Sequence, residues 1–122
     1  MRDHITIVLT LPPKELSPNW RGHWARKAKA VKAYRAQAWS TALSASKYRA
    51  PKWSTATAQA TFYHATNHRR DADNLLASLK AAFDGIASAG VVANDSGITH
   101  MPVVRLIDKK LPRVEIRIER GA

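Results

Sequence analysis

Two aspartates one residue apart, Asp71 and Asp73, follow directly on Arg69 and Arg70 and precede Asn74 and an apolar run that begins at Leu75. Carboxylates in that spacing have two ordinary uses. They cap and pair the start of a helix, or they offer hard oxygen ligands to a divalent cation. Lys80 and Asp84 follow at i, i+4 spacing, and Asp95 comes later, next to Asn94. Two or three carboxylates meeting beside a lysine suit Mg²⁺-dependent phosphodiester cleavage. The metal would remove the repulsion between carboxylate and phosphate, and Lys80 would stabilise charge on the phosphate or orient a water.

The charge distribution bears on that choice. Lys and Arg number 20 against 9 Asp and Glu, a net charge of +11 with a pI near 10.6. That excess points to a polyanionic partner, most often nucleic acid. Between Glu15 and Asp71 there is no acidic residue, whereas Arg21, Arg26, Lys27, Lys29, Lys32, Arg35, Lys47, Arg49, Lys52, Arg69 and Arg70 all fall there. A passive binder of phosphate gains nothing by gathering its few carboxylates.

Composition excludes several classes. At 122 residues, with 45% hydrophobic content and four tryptophans, one folded domain spanning 1–122 is expected. The absence of cysteine removes disulfides, zinc–thiolate sites and thiol catalysis. No apolar run approaches the twenty or so residues that span a bilayer, and "MRDHITIVLTLPPKEL" carries no cleavage signal. The expectation is a soluble, intracellular protein without membrane contact or a small-molecule cofactor.

The elements that must position the acids can be read from periodicity. Residues 4–11 form a strand ended by Pro12-Pro13, and a long basic helix is expected from about Asn19 to Ser46, with Ser17 as its cap. Residues 55–65 alternate as a strand with one buried face, and a second helix is expected from about Asp73 to Ser88, ended by Gly90. On that helix Asp73, Ala77, Lys80 and Asp84 share one stripe, opposite Leu75, Leu76, Leu79, Phe83 and Ile86. "VVAND" brings a short strand to Asp95, and residues 100–108 and 112–119 read as further strands joined by a turn. The order β-α-β-α-β-β predicts an α+β domain with a largely antiparallel sheet packed against two helices.

The segment "RRDADNLLASLKAAFDGIASAGVVANDSGI" resembles the signature of the RusA family of Holliday junction resolvases, and "SPNWRGHWARKAKAVKAYR" is similar to that family's basic N-terminal block. The likeness covers roughly residues 9–107. It implies a homodimeric, Mg²⁺-dependent endodeoxyribonuclease, with Mn²⁺ able to substitute. Such an enzyme binds four-way DNA junctions and nicks two strands symmetrically in recombination and repair. Such proteins act in the cytoplasm and are often phage- or prophage-encoded. By position the resemblance makes Asp71, Asp73 and Asp95 the metal ligands and Lys80 the catalytic lysine. Two positions depart from the pattern. Some members carry the lysine one helical turn nearer the D-x-D-N, where this chain has Ala77, and an acidic pair expected near Asp95 is here Asn94-Asp95.

Each residue also has a plainer reading. Asp73 could simply cap the helix, although metal ligation does not exclude capping. Asp84 reads as the ion-pair partner that positions Lys80, and Asn74 as a support for a ligand carboxylate. Arg21, Arg26, Lys27, Lys29, Lys32 and Arg35, in a stretch without compensating acid, are expected DNA contacts, and so are Arg69 and Arg70, which beside two acids leave room for a shared phosphate. Trp20 and Trp24, four apart, are expected in the core or a dimer interface. His64 and His68 are left as strand and loop residues. The competing function is a non-catalytic basic nucleic-acid-binding module whose acids are caps and ion pairs. A metal-dependent nuclease acting on RNA or flaps would share the same chemistry.

Overall fold

The computed structural model describes residues 3–121, and its architecture follows from three alternating segments. In β1 (His4–Leu9) Ile5, Ile7 and Leu9 point inward. In β2 (Ala56–His64) Ala56, Ala58, Ala60 and Phe62 do so, and in β5 (Arg113–Arg120) Val114, Ile116 and Ile118. Period-two patterning puts all of these on one face of the sheet. The last strand lies between the other two, antiparallel to both, so that Ile7, Ile116 and Ala60 form one cross-strand row. The opposite face carries Thr6, Thr61, Glu115 and Arg117, which are exposed or half-buried.

Two short strands complete the far edge. Both β3 (Ile98–His100) and β4 (Val104–Ile107) pair with β2 and run parallel to it, one after the other. The class is as the sequence predicts and the order roughly so, with two helices after β2 and three strands after them, but the sheet is mixed, antiparallel over β1–β5–β2 and parallel at β3 and β4. The strand expected over 100–108 is interrupted around Pro102, a residue that has no N–H to give a ladder. "VVAND" supplies only a single parallel bridge, between Trp53 and Val92.

Helix α1 (Trp24–Ala45) starts later than expected. His23, not Ser17, is its cap, with Nδ1 accepting from the Ala25 N–H at 3.1 Å. Tyr34, Ala38 and Ala42 are its buried stripe. Trp24 is 76% exposed and so is no core residue, while Trp20 lies in the preceding loop, its ring folded over Gly22.

The second expected helix divides into α2 (Ala72–Ala77) and α3 (Lys80–Ser88). At the break the Ser78 hydroxyl donates to the Leu75 carbonyl at 2.6 Å, and Leu79 N–H reaches back only three residues, to Leu76. A serine bonding its own helix in this way bends it. Leu79, Ala81, Ala82, Phe83 and Ile86 are buried. Where α3 crosses α1, a β-carbon on Gly85 would come within 2.3 Å of the Arg35 carbonyl oxygen, so only glycine permits this approach. Gly90, at φ +85°, ends α3 in the left-handed region, as the sequence predicts. None of the described helices is long and apolar enough to cross a membrane.

Candidate active site

The chain between β2 and α2 delivers the two neighbouring acids. Asp71 is the N-cap of α2, its Oδ1 accepting the Asp73 N–H at 2.8 Å, so the capping role expected of Asp73 falls to Asp71. Both carboxylates are exposed, and Asn74 is half-buried one turn into the helix. Asp71 and Asn74 open onto a cavity of about 360 Å³ whose walls include Leu11, Pro12, Lys14, Phe62, His64 and Arg70.

On the other side of His64 lies a second cavity, of about 300 Å³, lined by His64, His68, Arg69, Arg70 and Arg105 with no carboxylate among its lining residues. The two Arg residues before the acids have different positions. Arg70 turns back to the Thr66 and His68 carbonyls at 3.1 and 3.0 Å and holds the loop. Arg69 is exposed. Arg105, on β4, ties itself to the Arg70 carbonyl at 2.7 Å.

His64 joins the two cavities. Its ring stacks on Phe62 at 5.7 Å, and burial, reinforced by the nearby Arg70 and Arg105 charges, holds its pKa below the usual histidine value. The sequence reading set this residue aside. The signal was present, because the alternation of Ala58, Ala60 and Phe62 continues to His64 and so aims it at the same face. Lys14 and Arg105 line these cavities too, and nothing local in the sequence marks them.

Lys80, Asp84 and Asp95 line a separate cavity of about 220 Å³ with Leu76, Phe83 and His100. The Lys80–Asp84 ion pair forms at 3.6 Å, as the i, i+4 spacing predicts. Asp95 begins a short 3-10 turn (Asp95–Gly97) capped by Asn94, whose Oδ1 accepts from the Ser96 N–H at 3.1 Å. Arg35 also reaches this side, donating to the Ser88 hydroxyl at 2.8 Å and lining a shallow cleft with Asp84, Asn94 and Asp95. His100 lies edge-on to Phe83 at 4.5 Å, and burial lowers its pKa.

The structure thus brings Asp71, Asn74 and Arg70 together, and Lys80, Asp84 and Asp95 together. It does not close the three aspartates into one cluster. Among the described residues, no three His, Cys, Asp or Glu side chains are gathered so as to hold a metal ion. The donor chemistry nonetheless fits Mg²⁺, which takes one or two carboxylates and fills its remaining positions with water and substrate phosphate oxygens. Of the expected DNA contacts on α1, Lys27, Lys29 and Lys32 are exposed. Arg26 is paired with Glu15 at 3.0 Å and sits over the Trp20 ring.

Comparison with known proteins decides the family. The family model for endodeoxyribonuclease RusA matches residues 18–119. The chain belongs to the RusA family. An uncharacterised protein of Xylella fastidiosa (strain Temecula1) is 37% identical over 97 residues, covering 78% of this chain and 63% of that relative. The chain therefore spans less than two thirds of the relative's length. Within the RusA match fall both carboxylate groups, the basic helix and the arginine cavity.

Proposed function

We propose that this chain is a single-domain, Mg²⁺-dependent endodeoxyribonuclease that acts in the cytoplasm as a two-fold homodimer and resolves four-way DNA junctions by paired symmetric nicks. One observation carries the reading. In a member of the RusA family, Asp71 at the cap of α2, one residue from the exposed Asp73, borders a cavity that Arg70 and His64 also line, and those two line the arginine-rich cavity as well. A scissile phosphate seated against Arg69 and Arg105 would lie beside Asp71 and Asp73.

Asp71 and Asp73 would hold the metal, Asp95 would have to be drawn to it from the neighbouring Lys80 cavity, and Mn²⁺ would substitute for Mg²⁺. When bound, the cation supplies the positive charge that lets carboxylates and phosphate share a site. The chain's own groups do the rest. Arg69 and Arg105 position the phosphate, and Arg70 fixes the loop that carries Arg69. Lys80, with Asp84 beside it, offsets charge that develops on the phosphate. Asn74 supports the neighbouring carboxylates, and Asn94 shapes the turn at Asp95. Arg21, Lys27, Lys29, Lys32 and Arg35 contribute contacts to the DNA backbone, so affinity falls steeply with salt. On β4, Val104, Leu106 and Ile107 are 39–49% exposed along a sheet edge that no other strand among the described residues pairs with, an apolar surface that a second copy would cover.

The test is strand nicking of a labelled four-way junction beside linear duplex and single strand, with wild type and Asp73→Asn. Paired, Mg²⁺-dependent nicks on the junction that vanish in the variant while binding persists support the proposal. The second reading, a basic binding module without catalysis, is favoured by the capping role of Asp71 and by the placement of Asp95 in a different cavity from Asp71. It predicts that wild type binds the junction but cuts nothing with Mg²⁺ or Mn²⁺.

A further inference from the structure

A cleft of about 1150 Å³ opens at the other end of β2 from Asp71, between the chain leaving α1, the start of β1 and the end of β5. Lys47, Arg49, Lys52 and Arg120 line it, with Ile5 and Trp53 as apolar floor and no carboxylate among the lining residues. Lys47, Arg49 and Lys52 are exposed, and none has a carboxylate partner within ion-pair distance among the described residues. Tyr48 stands beside them, 76% exposed.

The backbone that presents these cations is unusual. Lys47, Tyr48 and Lys52 have φ of 56°, 61° and 48°, the left-handed region that glycine and asparagine occupy at least cost. Lys47 follows the cap of α1, where glycine is the usual residue. The segment is also pinned. Tyr48 N–H donates to the Leu43 carbonyl at 2.8 Å, Lys52 N–H to Gly90 at 2.7 Å and Trp53 N–H to Val91 at 3.0 Å. Long cationic side chains at positions suited to glycine, on a fixed loop, are an expense that local folding does not require. Strain of this kind concentrates where a segment binds something.

We propose that this cleft is a second phosphate-binding surface, which holds the backbone of a duplex DNA arm away from the carboxylate site. The inference rests on the endonuclease reading for the identity of the polyanion. Geometry sets the scale. The nine residues of β2 separate the cleft from the Asp71 end, roughly 26 Å at about 3.3 Å per residue. That is the length of about eight base-pair rises at about 3.4 Å each. One DNA arm running along the molecule would meet both ends.

The experiment is fluorescence anisotropy of a labelled four-way junction in EDTA across a salt series. It compares wild type with the triple variant Lys47→Gln, Arg49→Gln, Lys52→Gln. Three lost phosphate contacts should weaken binding at least about tenfold at moderate salt and flatten the log–log salt slope by about 2–3. Wild-type affinity should fall when the arms are cut below about eight base pairs, and the triple variant should not register that change. A second variant, Lys47→Asn with Lys52→Asn, guards against misfolding. It should melt at the same or a higher temperature yet bind more weakly. Unchanged affinity and slope in the triple variant overturn the inference, as does loss of binding only together with loss of stability in the asparagine variant. Wild-type nicking with Mg²⁺, assayed alongside, tests the endonuclease reading separately.

Discussion

Asp71 accepts the backbone N–H of Asp73 at 2.8 Å, so one carboxylate of the pair fixes the helix that carries the other. The two roles separate by substitution. Asp71→Asn keeps an amide oxygen for the cap and should cost little stability, whereas Asp71→Ala should cost about 1 kcal/mol. Both should abolish junction nicking. Denaturant unfolding alongside the nicking assay distinguishes these effects.

Lys80 and Asp84 are 3.6 Å apart, with the lysine side chain 81% exposed. Exposed helical pairs of this kind contribute only about 0.3–0.5 kcal/mol. Asp84→Asn should therefore leave the unfolding midpoint nearly unchanged. Lys80→Ala should slow single-turnover nicking by about tenfold or more, and Asp84→Asn by less. Equal losses in the two variants would assign Asp84 a direct part in the chemistry.

At Gly85 helix α3 packs against α1 with no room for a β-carbon beside the Arg35 carbonyl. Gly85→Ala should force α1 and α3 apart and destabilise by about 1–3 kcal/mol, although alanine favours a helix. Thermal unfolding would read this directly. A more stable variant would show that the helices yield without loss.

His64 and His100 both have pKa values held below the ordinary histidine value, mainly by burial. Each therefore binds its proton more readily once the chain unfolds. Their contribution is full above about pH 6.5 and is lost as pH falls below it. Stability should decline as pH falls below about 6.5, and less so in His64→Gln. Asp108, whose carboxyl Arg113 holds low at 2.9 Å, acts in a separate window below the usual carboxylate range. Urea titrations at several pH values would resolve the two.

Much of this arrangement is legible in the sequence because burial is periodic. Ile5, Ile7 and Leu9, then Ala56 to Phe62, then Val114 to Ile118, alternate in the sequence as they do in the sheet. The i, i+4 pair of Lys80 and Asp84 follows from helical geometry alone. What local pattern misses is competition and distance. The break at Ser78 comes from a hydroxyl that competes for the Leu75 carbonyl, which no hydrophobic periodicity registers. The parallel pairing of β3 and β4 with β2 is set by the path of the chain through α2 and α3. For the same reason Asp95 lies with Lys80 rather than with Asp71, and Arg105 reaches Arg70 across 35 residues.

The position of β5 also constrains the order of events during synthesis. Residues 113–120 lie between β1 and β2 and supply both of their antiparallel partners. A nascent chain that has emerged only as far as α3 has its helices and two strands, but those strands have no neighbour to join them. The sheet can close only after residues 113–120 leave the ribosome, so folding is late and cooperative rather than progressive. Until then Ile5, Ile7, Leu9 and Phe62 lack the strand that joins them in one sheet, and a ribosome stalled before residue 113 would display an aggregation-prone intermediate.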